Sequence, residues 1–231
     1  MQFALPPAAP AAVPVFGTDA FFPVRRIYCV GRNYADHAKE MGGTGREAPF
    51  FFMKPADAVL AVVDGTVGEM HYPTHTADLH HEIELVVAIG VGGHAIKAVD
   101  APKHIWGYAV GIDMTRRDLQ AEAKKLGRPW CIAKGFDESA PIGPIHRIGE
   151  TGMINAGEIY LKVNATVRQS GDISQMIWSV AETIEVLSGY FALQAGDLIF
   201  SGTPAGVAAV KSGDLIEAGI ARLGSLSLRI I

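Results

Sequence analysis

The stretch "HHEIELVVAIG", His80–Gly90, opens polar, continues as an apolar strand, and places Glu82 and Glu84 two residues apart. Side chains at i and i+2 of a strand share a face. Val86 and Ala88 continue that face, so both carboxylates point where apolar residues point. Their Cα atoms are expected about 6–7 Å apart. At an effective dielectric of about 20, two unit charges at that distance repel by roughly 2.5 kcal/mol, and burial adds several kcal/mol per ion. The pair therefore needs raised pKa values, basic partners or a metal ion, unless this face is solvated; spacing alone leaves that open.

A third carboxylate narrows the choice. "GYAVGIDMT", Gly107–Thr115, is another apolar run in which Asp113 is the last strand residue. A strand-end aspartate also serves as a turn or capping residue. Three acids in two apolar strands, however, form the oxygen-rich set that Mg²⁺, Mn²⁺ or Ca²⁺ prefers. Glu82, Glu84 and Asp113 are thus the candidate metal ligands. His71, His75, His80 and His81 raise a zinc alternative, but adjacent His80 and His81 face opposite ways on a strand and no spacing fits a zinc template.

Outward from these strands, 26 glycines and 13 prolines divide the chain into short apolar runs, the pattern of a turn-rich, mainly β architecture. Strands are expected at 26–30, 58–63, 82–89, 107–113, 158–167, 197–201, 214–218 and 225–230. Thr115 with Asp118, and Ser179 with Glu182, resemble capping boxes that open helices. The first stops at Gly127 and Pro129; the second carries Val180, Ile184 and Leu187 as an apolar stripe. Asn33 to Gly42 reads as a short third helix, followed by a glycine-rich hinge. Few helices among many strands argue against an alternating parallel α/β fold and for an α+β class.

The 231 residues, with 20 Lys+Arg against 24 Asp+Glu, can bury a sizeable core and give no basis for a nucleic-acid or anionic-membrane partner. The Pro/Ala-rich leader, residues 1–20, lacks a basic signal-peptide region, and no run of about 18 apolar residues marks a membrane span. One domain over 21–231 and a cytoplasmic location are expected. Cys29 and Cys131 read as buried free thiols, too few for a disulfide framework.

Other residues could carry chemistry. His37 and Glu40, three apart, share one face of the short helix; a carboxylate beside an imidazole suits a general base, although an ordinary surface pair is the commoner outcome. Lys134 sits in the apolar "WCIAKGF", and Thr203 in the tight turn of "FSGTPAG". "GVGGHA", Gly90–Ala95, loosely fits a dinucleotide-binding pattern. Pro102 interrupts the required helix, and a strand carrying Glu82 and Glu84 does not look buried on both faces, as that fold demands. A non-catalytic calcium-binding domain would explain the carboxylates but not the histidine-bearing flap.

"RIYCVGRNYADHAKEMG", "PFFFMKPADAV", "HHEIELVVAIG", "GYAVGIDMTRRDLQAEAKKLGRPWCIAKGFD" and "GDLIFSGTPAGV" together resemble the fumarylacetoacetate hydrolase superfamily. Within it they are similar to acylpyruvate hydrolases, the fumarylpyruvate hydrolases of gentisate breakdown among them. The resemblance runs in order from about Phe22 to the carboxyl terminus. It implies a mixed β-roll, a homodimer, and Mg²⁺ or Mn²⁺ on Glu82, Glu84 and Asp113. It also implies a His37–Glu40 catalytic dyad, a catalytic Lys134, and a small 2-oxo acid substrate contacted by Arg117, Gln120 and Thr203. The implied reaction is hydrolysis of the carbon–carbon bond of a 3-acylpyruvate. Oxaloacetate decarboxylation, or an isomerase/decarboxylase activity of aromatic catabolism, is the alternative on the same fold. One departure is Asn164-Ala165 where relatives carry Asn-Gly, because alanine tolerates positive φ poorly.

Overall fold

Seven residues of the opening stretch, Ile83–Ile89, form a strand buried on both faces. The computed structural model describes residues 3–35 and 46–231. The strand lies between Asp197–Phe200 and Ile105–Ile112, each antiparallel to it. Beyond Asp197–Phe200 come Arg26–Gly31, in parallel, and then Phe50–Lys54. Beyond Ile105–Ile112 come Ala140–Ile142 and Val59–Ala61. A second sheet runs in the order Thr166–Asp172, Glu158–Val163, Leu215–Ile220, Gly224–Ile230, Val67–Met70.

Alternation along Ile83–Ile89 places its residues in two cores. Ile83, Leu85, Val87 and Ile89 share one apolar cluster with Leu161, Ile216 and Leu226 of the second sheet. Val86 and Ala88 belong to another, with Ala109, Leu198, Phe200 and, from near the amino terminus, Val13 and Val15. Each large side chain so buried contributes about 1.5–3 kcal/mol, which anchors this strand between the two cores. Two layers of mixed sheet with a few short helices make up the mainly β, α+β roll expected from the sequence.

Several local expectations are corrected. The 82–89 strand is buried on both faces after all; a dinucleotide fold is excluded instead because both its neighbours are antiparallel, whereas that fold needs parallel ones. The expected 158–167 strand is a hairpin that reverses at Asn164 and Ala165, both at positive φ. Thr115 and Asp118 form no capping box: the Arg117–Lys125 helix has no side-chain cap, Thr115 pairs with His80 on a short strand, and Asp118 accepts from Thr76 Oγ1 and Ala77 N–H. Ser179 and Glu182 do form both bonds of theirs. Cys29 is buried but Cys131 is exposed, because its segment is a surface helix, Cys131–Lys134, that turns Ala133 and Lys134 inward.

No helix among the described residues is long and apolar enough to cross a membrane. The expected Asn33–Gly42 helix, with His37 and Glu40, falls largely outside the described residues. Asn33 itself uses its side chain elsewhere: Oδ1 accepts from Trp178 N–H, and Nδ2 donates to the carbonyls of Trp178 and Ser201.

Candidate metal centre and substrate cleft

Two neighbouring strands change sheet at the same level, and that is what gathers the acids. Leu79–His81 belongs to a small sheet with Thr115–Arg116 and Ala208–Val210. Glu82 is the single residue between it and Ile83–Ile89, while Asp113 follows Ile105–Ile112 directly. The Asp113 N–H donates to the Glu82 carbonyl at 2.8 Å, tying the two corners together. Glu84 lies one step inside the central sheet, opposite Gly111.

The three carboxylates are buried, and each offers an oxygen within 4.8 Å of the others'. Cations surround them. Lys134 Nζ donates to Glu82 Oε2 at 2.9 Å and to Asp113 Oδ2 at 2.6 Å. Arg117 pairs with Glu82 Oε1 through Nη2 and donates to Gln120 Oε1 through Nη1. Lys54 Nζ stands 2.8 Å from Asp113 Oδ1. The direction of that contact does not make a hydrogen bond, so Oδ1 is a buried oxygen without one.

Glu84 has no cationic side chain paired to it among the described residues. It accepts the Gly202 N–H at Oε2, 2.6 Å away. Gly202 sits at φ +97°, and a Cβ there would come within 2.6 Å of Asn33 Cβ, so the backbone approaches because there is no side chain. Burial first, then the charges of Asp113 and Glu82, push the Glu84 carboxyl well above its ordinary range. For Lys134, burial works to lower the ammonium, but Asp113 and Glu82 outweigh it and hold the group above its usual value.

An Asp113 oxygen without a hydrogen bond and a buried Glu84 without a paired cation among the described residues are groups that a hard divalent cation would satisfy. Carboxylate oxygens suit Mg²⁺ and Mn²⁺, so these residues fit such an ion. No histidine joins the cluster among the described residues. His80 is engaged with Asp78 and Arg117, His71 with Glu138 and His81 with Gln169.

Glu82 and Glu84 line a cleft together with Arg32, Phe50, Phe52, Arg117, Gln120, Trp130, Lys134 and Thr203, and Asp113 is fully buried beside them. Every described site residue named from the sequence therefore lies at one place. Residues 26–231 match the fumarylacetoacetate (FAA) hydrolase C-terminal family. The chain belongs to this family.

Among solved members, this chain superposes with a TM-score of 0.98 on fumarylpyruvate hydrolase from Pseudomonas aeruginosa in complex with Mn²⁺ and pyruvate; the two are 52% identical over 100% of this chain and 99% of that one. Family members of other names are also near. The mitochondrial oxaloacetate tautomerase FAHD1 of Rattus norvegicus is 43% identical over 89% of this chain and 91% of its own length. The mitochondrial oxaloacetate decarboxylase of Dictyostelium discoideum is 40% identical over 86% and 90%.

Two site residues escaped the sequence reading. Lys54 ends the apolar "FFFMK" strand, and its burial, 1% exposed, is the kind of lysine placement that signals an internal acid. Gln169 is fully buried behind the cleft, where Nε2 donates to Thr203 Oγ1 and Oε1 accepts from Ile83 N–H. It lies on an otherwise polar, exposed strand and gave no signal in the sequence.

Proposed function

We propose that this protein is a metal-dependent acylpyruvate hydrolase that cuts fumarylpyruvate into fumarate and pyruvate. The observation that carries the reading is the buried Glu82–Glu84–Asp113 cluster flanked by Lys134 and Arg117, in a chain so similar to an enzyme solved with Mn²⁺ and pyruvate. Mg²⁺ or Mn²⁺ held by the three carboxylates supplies Lewis-acid polarisation of a bound 2-oxo acid.

Lys134 and Arg117 balance the negative charge of the substrate's oxo-acid end, and Gln120 and Thr203 position it. His37, oriented by Glu40, takes a proton from water, which attacks the acyl carbonyl carbon. Collapse of the tetrahedral adduct breaks the carbon–carbon bond, and the bonding pair leaves with pyruvate as its enolate. The proton held by His37 then completes pyruvate, and fumarate departs from the other half. The dyad is assigned from the sequence; His37 and Glu40 lie outside the described residues.

The decarboxylase at 40% identity supports a second reading, in which the same pocket releases carbon dioxide from oxaloacetate and no water is activated. Pyruvate release from fumarylpyruvate, other 3-acylpyruvates and oxaloacetate, each with and without Mg²⁺, separates the two. Fumarylpyruvate turnover should require the ion and fall at least 100-fold in His37→Ala with Mn²⁺ binding intact. Near-normal turnover in that variant would remove His37 as the base, and oxaloacetate as the single productive substrate would overturn the hydrolase assignment.

The reading extends to a cytoplasmic homodimer of gentisate breakdown whose chemistry resides in one domain, residues 21–231. Exposed Phe50 and Met53, which share a surface groove with Phe51, Phe52 and Trp130 next to the cleft, support a subunit contact, since clustered exposed apolar residues mark interaction surfaces. Light scattering at micromolar concentration tests it.

A further inference from the structure

We infer that Gln169 is a positioning residue that turns the Thr203 hydroxyl proton into the cleft as a donor to the bound 2-oxo acid. The inference rests on the substrate-binding role proposed for Thr203 and deepens it.

The local fold is built to deliver this glutamine. In the Glu158–Asp172 hairpin, Leu161 pairs with Gln169 and Lys162 with Val167, which leaves Arg168 as the extra residue of a β-bulge. Bulges re-aim side chains; here Gln169 is the fully buried residue of a strand whose neighbours on both sides are exposed. The turn after Thr203 is pressed onto the bulge. A Cβ on Gly206, at φ +96°, would fall 2.1 Å from the Arg168 carbonyl oxygen. An uncharged amide is costly to bury without partners, and this one has four. Oε1 accepts from Ile83 N–H at 3.1 Å and meets His81 Nδ1 at 2.9 Å; Nε2 donates to Thr203 Oγ1 and to the Pro204 carbonyl, each at 2.8 Å.

These partners fix the amide's orientation. A flipped amide would set NH₂ against the Ile83 N–H and oxygen against the Pro204 carbonyl, losing both bonds. The Thr203 oxygen must therefore accept on its buried side. A hydroxyl has one proton and two lone pairs, and no described acceptor takes the Thr203 proton within the protein. Thr203 lines the cleft beside Glu84 and Lys134, so among the described residues the open direction for that proton is into the cleft, where a bound 2-oxo acid would lie. The same amide grips Ile83, between Glu82 and Glu84, so the experiment must separate substrate positioning from support of the metal ligands.

Calorimetry of Mn²⁺ binding, and of pyruvate binding to the Mn²⁺-loaded protein, does so in Gln169→Glu, Gln169→Met, Thr203→Val and the two double variants. Gln169→Glu keeps acceptors for Ile83 and His81, but its carboxylate draws the Thr203 proton back towards itself. We expect Mn²⁺ affinity within about threefold of wild type, pyruvate affinity lowered roughly tenfold or more, as for loss of one hydrogen bond to a charged group, and no further loss in the Thr203→Val background. Gln169→Met frees the hydroxyl to rotate and should lose less than Gln169→Glu. Additive losses in the double variants, a fall in Mn²⁺ affinity that accounts for the whole effect, or unchanged pyruvate affinity in Thr203→Val would each overturn the inference. These are binding readouts, so failure of the hydrolase assignment shows separately, as absent pyruvate release from fumarylpyruvate by the wild-type enzyme.

Discussion

Lys54 Nζ lies 2.8 Å from Asp113 Oδ1, with both side chains fully shielded from solvent. The contact is an ion pair rather than a hydrogen bond; the ammonium's hydrogen bonds go to the carbonyls of Met114 and Lys134, so it joins the corner that carries Asp113 to the short helix that carries Lys134. A lysine in this place does two jobs: it supports the backbone on either side of the metal centre, and it offsets part of the charge of three clustered acids.

Breaking a buried ion pair by deleting one partner costs about 3–5 kcal/mol. Lys54→Met should lose about that much stability in urea unfolding with EDTA present. Mn²⁺ should recover a larger share of stability in the variant than it adds to wild type, since the ion restores positive charge beside Asp113. Equal Mn²⁺-induced gains in both proteins would show that Lys54 is not part of the charge balance.

The second prediction concerns pH. The Glu84 carboxyl is held above its ordinary value of about 4.5, by burial first and then by Asp113 and Glu82. A raised folded pKa means that its contribution to metal-free stability is full below about 4.5 and is lost as pH rises through the folded value. Metal binding requires the carboxylate, so protons compete with the ion. Mn²⁺ affinity should therefore climb with pH from about 4.5 through the folded pKa and then level off, with proton release visible as a buffer-dependent binding enthalpy. The Mn²⁺-induced rise in Tm should grow in the same direction. Glu84→Gln should abolish the proton release and weaken Mn²⁺ at least 100-fold; a pH-independent affinity in wild type would contradict the account.

The acids were legible in the sequence because carboxylates at strand spacing in an apolar run have few physical excuses. How they meet was not. A continuous strand through Glu82 is the simplest reading of "HHEIELVVAIG", yet the chain changes sheet at Glu82, and that corner depends on Asp113 N–H from a strand some thirty residues away. Arg117 and Lys134 were reached through family resemblance, since a helix-start arginine and a lysine in an apolar run are ordinary in isolation. Gln169 was invisible because a bulge reverses its facing, and bulges arise from pairing with a partner strand rather than from local composition. The Ser179–Glu182 capping box was read correctly because its two residues satisfy each other, whereas Thr115–Asp118 failed because distant Thr76 and Ala77 claim the aspartate.

The hairpin offers a third test. Asn164 and Ala165 take φ values of 50° and 63°, the paired left-handed turn that best matches strand twist. Asn164 stabilises its place by donating to Asp214 and accepting from Leu215 N–H. Ala165 carries the steric cost of a Cβ at positive φ. Ala165→Gly should raise stability by about 0.5–1 kcal/mol, the relief being partly offset by the greater freedom of glycine in the unfolded chain. Activity should not change. Loss of stability in urea unfolding would mean that the turn is not strained.

The last prediction concerns the helix behind the cleft. Ser179 Oγ accepts from Glu182 N–H, and Glu182 Oε2 accepts from Ser179 N–H and Oγ. These bonds begin the helix immediately after Trp178, the residue that fixes Asn33 against the Gly202 turn. Ser179→Ala should cost about 1 kcal/mol, the usual value of a lost cap. The Glu182 carboxyl is held below its ordinary value by the Ser179 N–H first, then by the Ser179 hydroxyl, with Arg46 adding to them. A lowered folded pKa gives stability that is present above about 4.5 and is lost as pH falls through the folded value. The stability gap between wild type and Ser179→Ala should therefore be widest near neutrality and narrow progressively below about pH 4.5. A gap that stays constant over that range would mean that the Ser179 hydroxyl gains nothing from bonding the ionised Glu182 carboxylate, the Ser179 N–H bond being kept in both proteins.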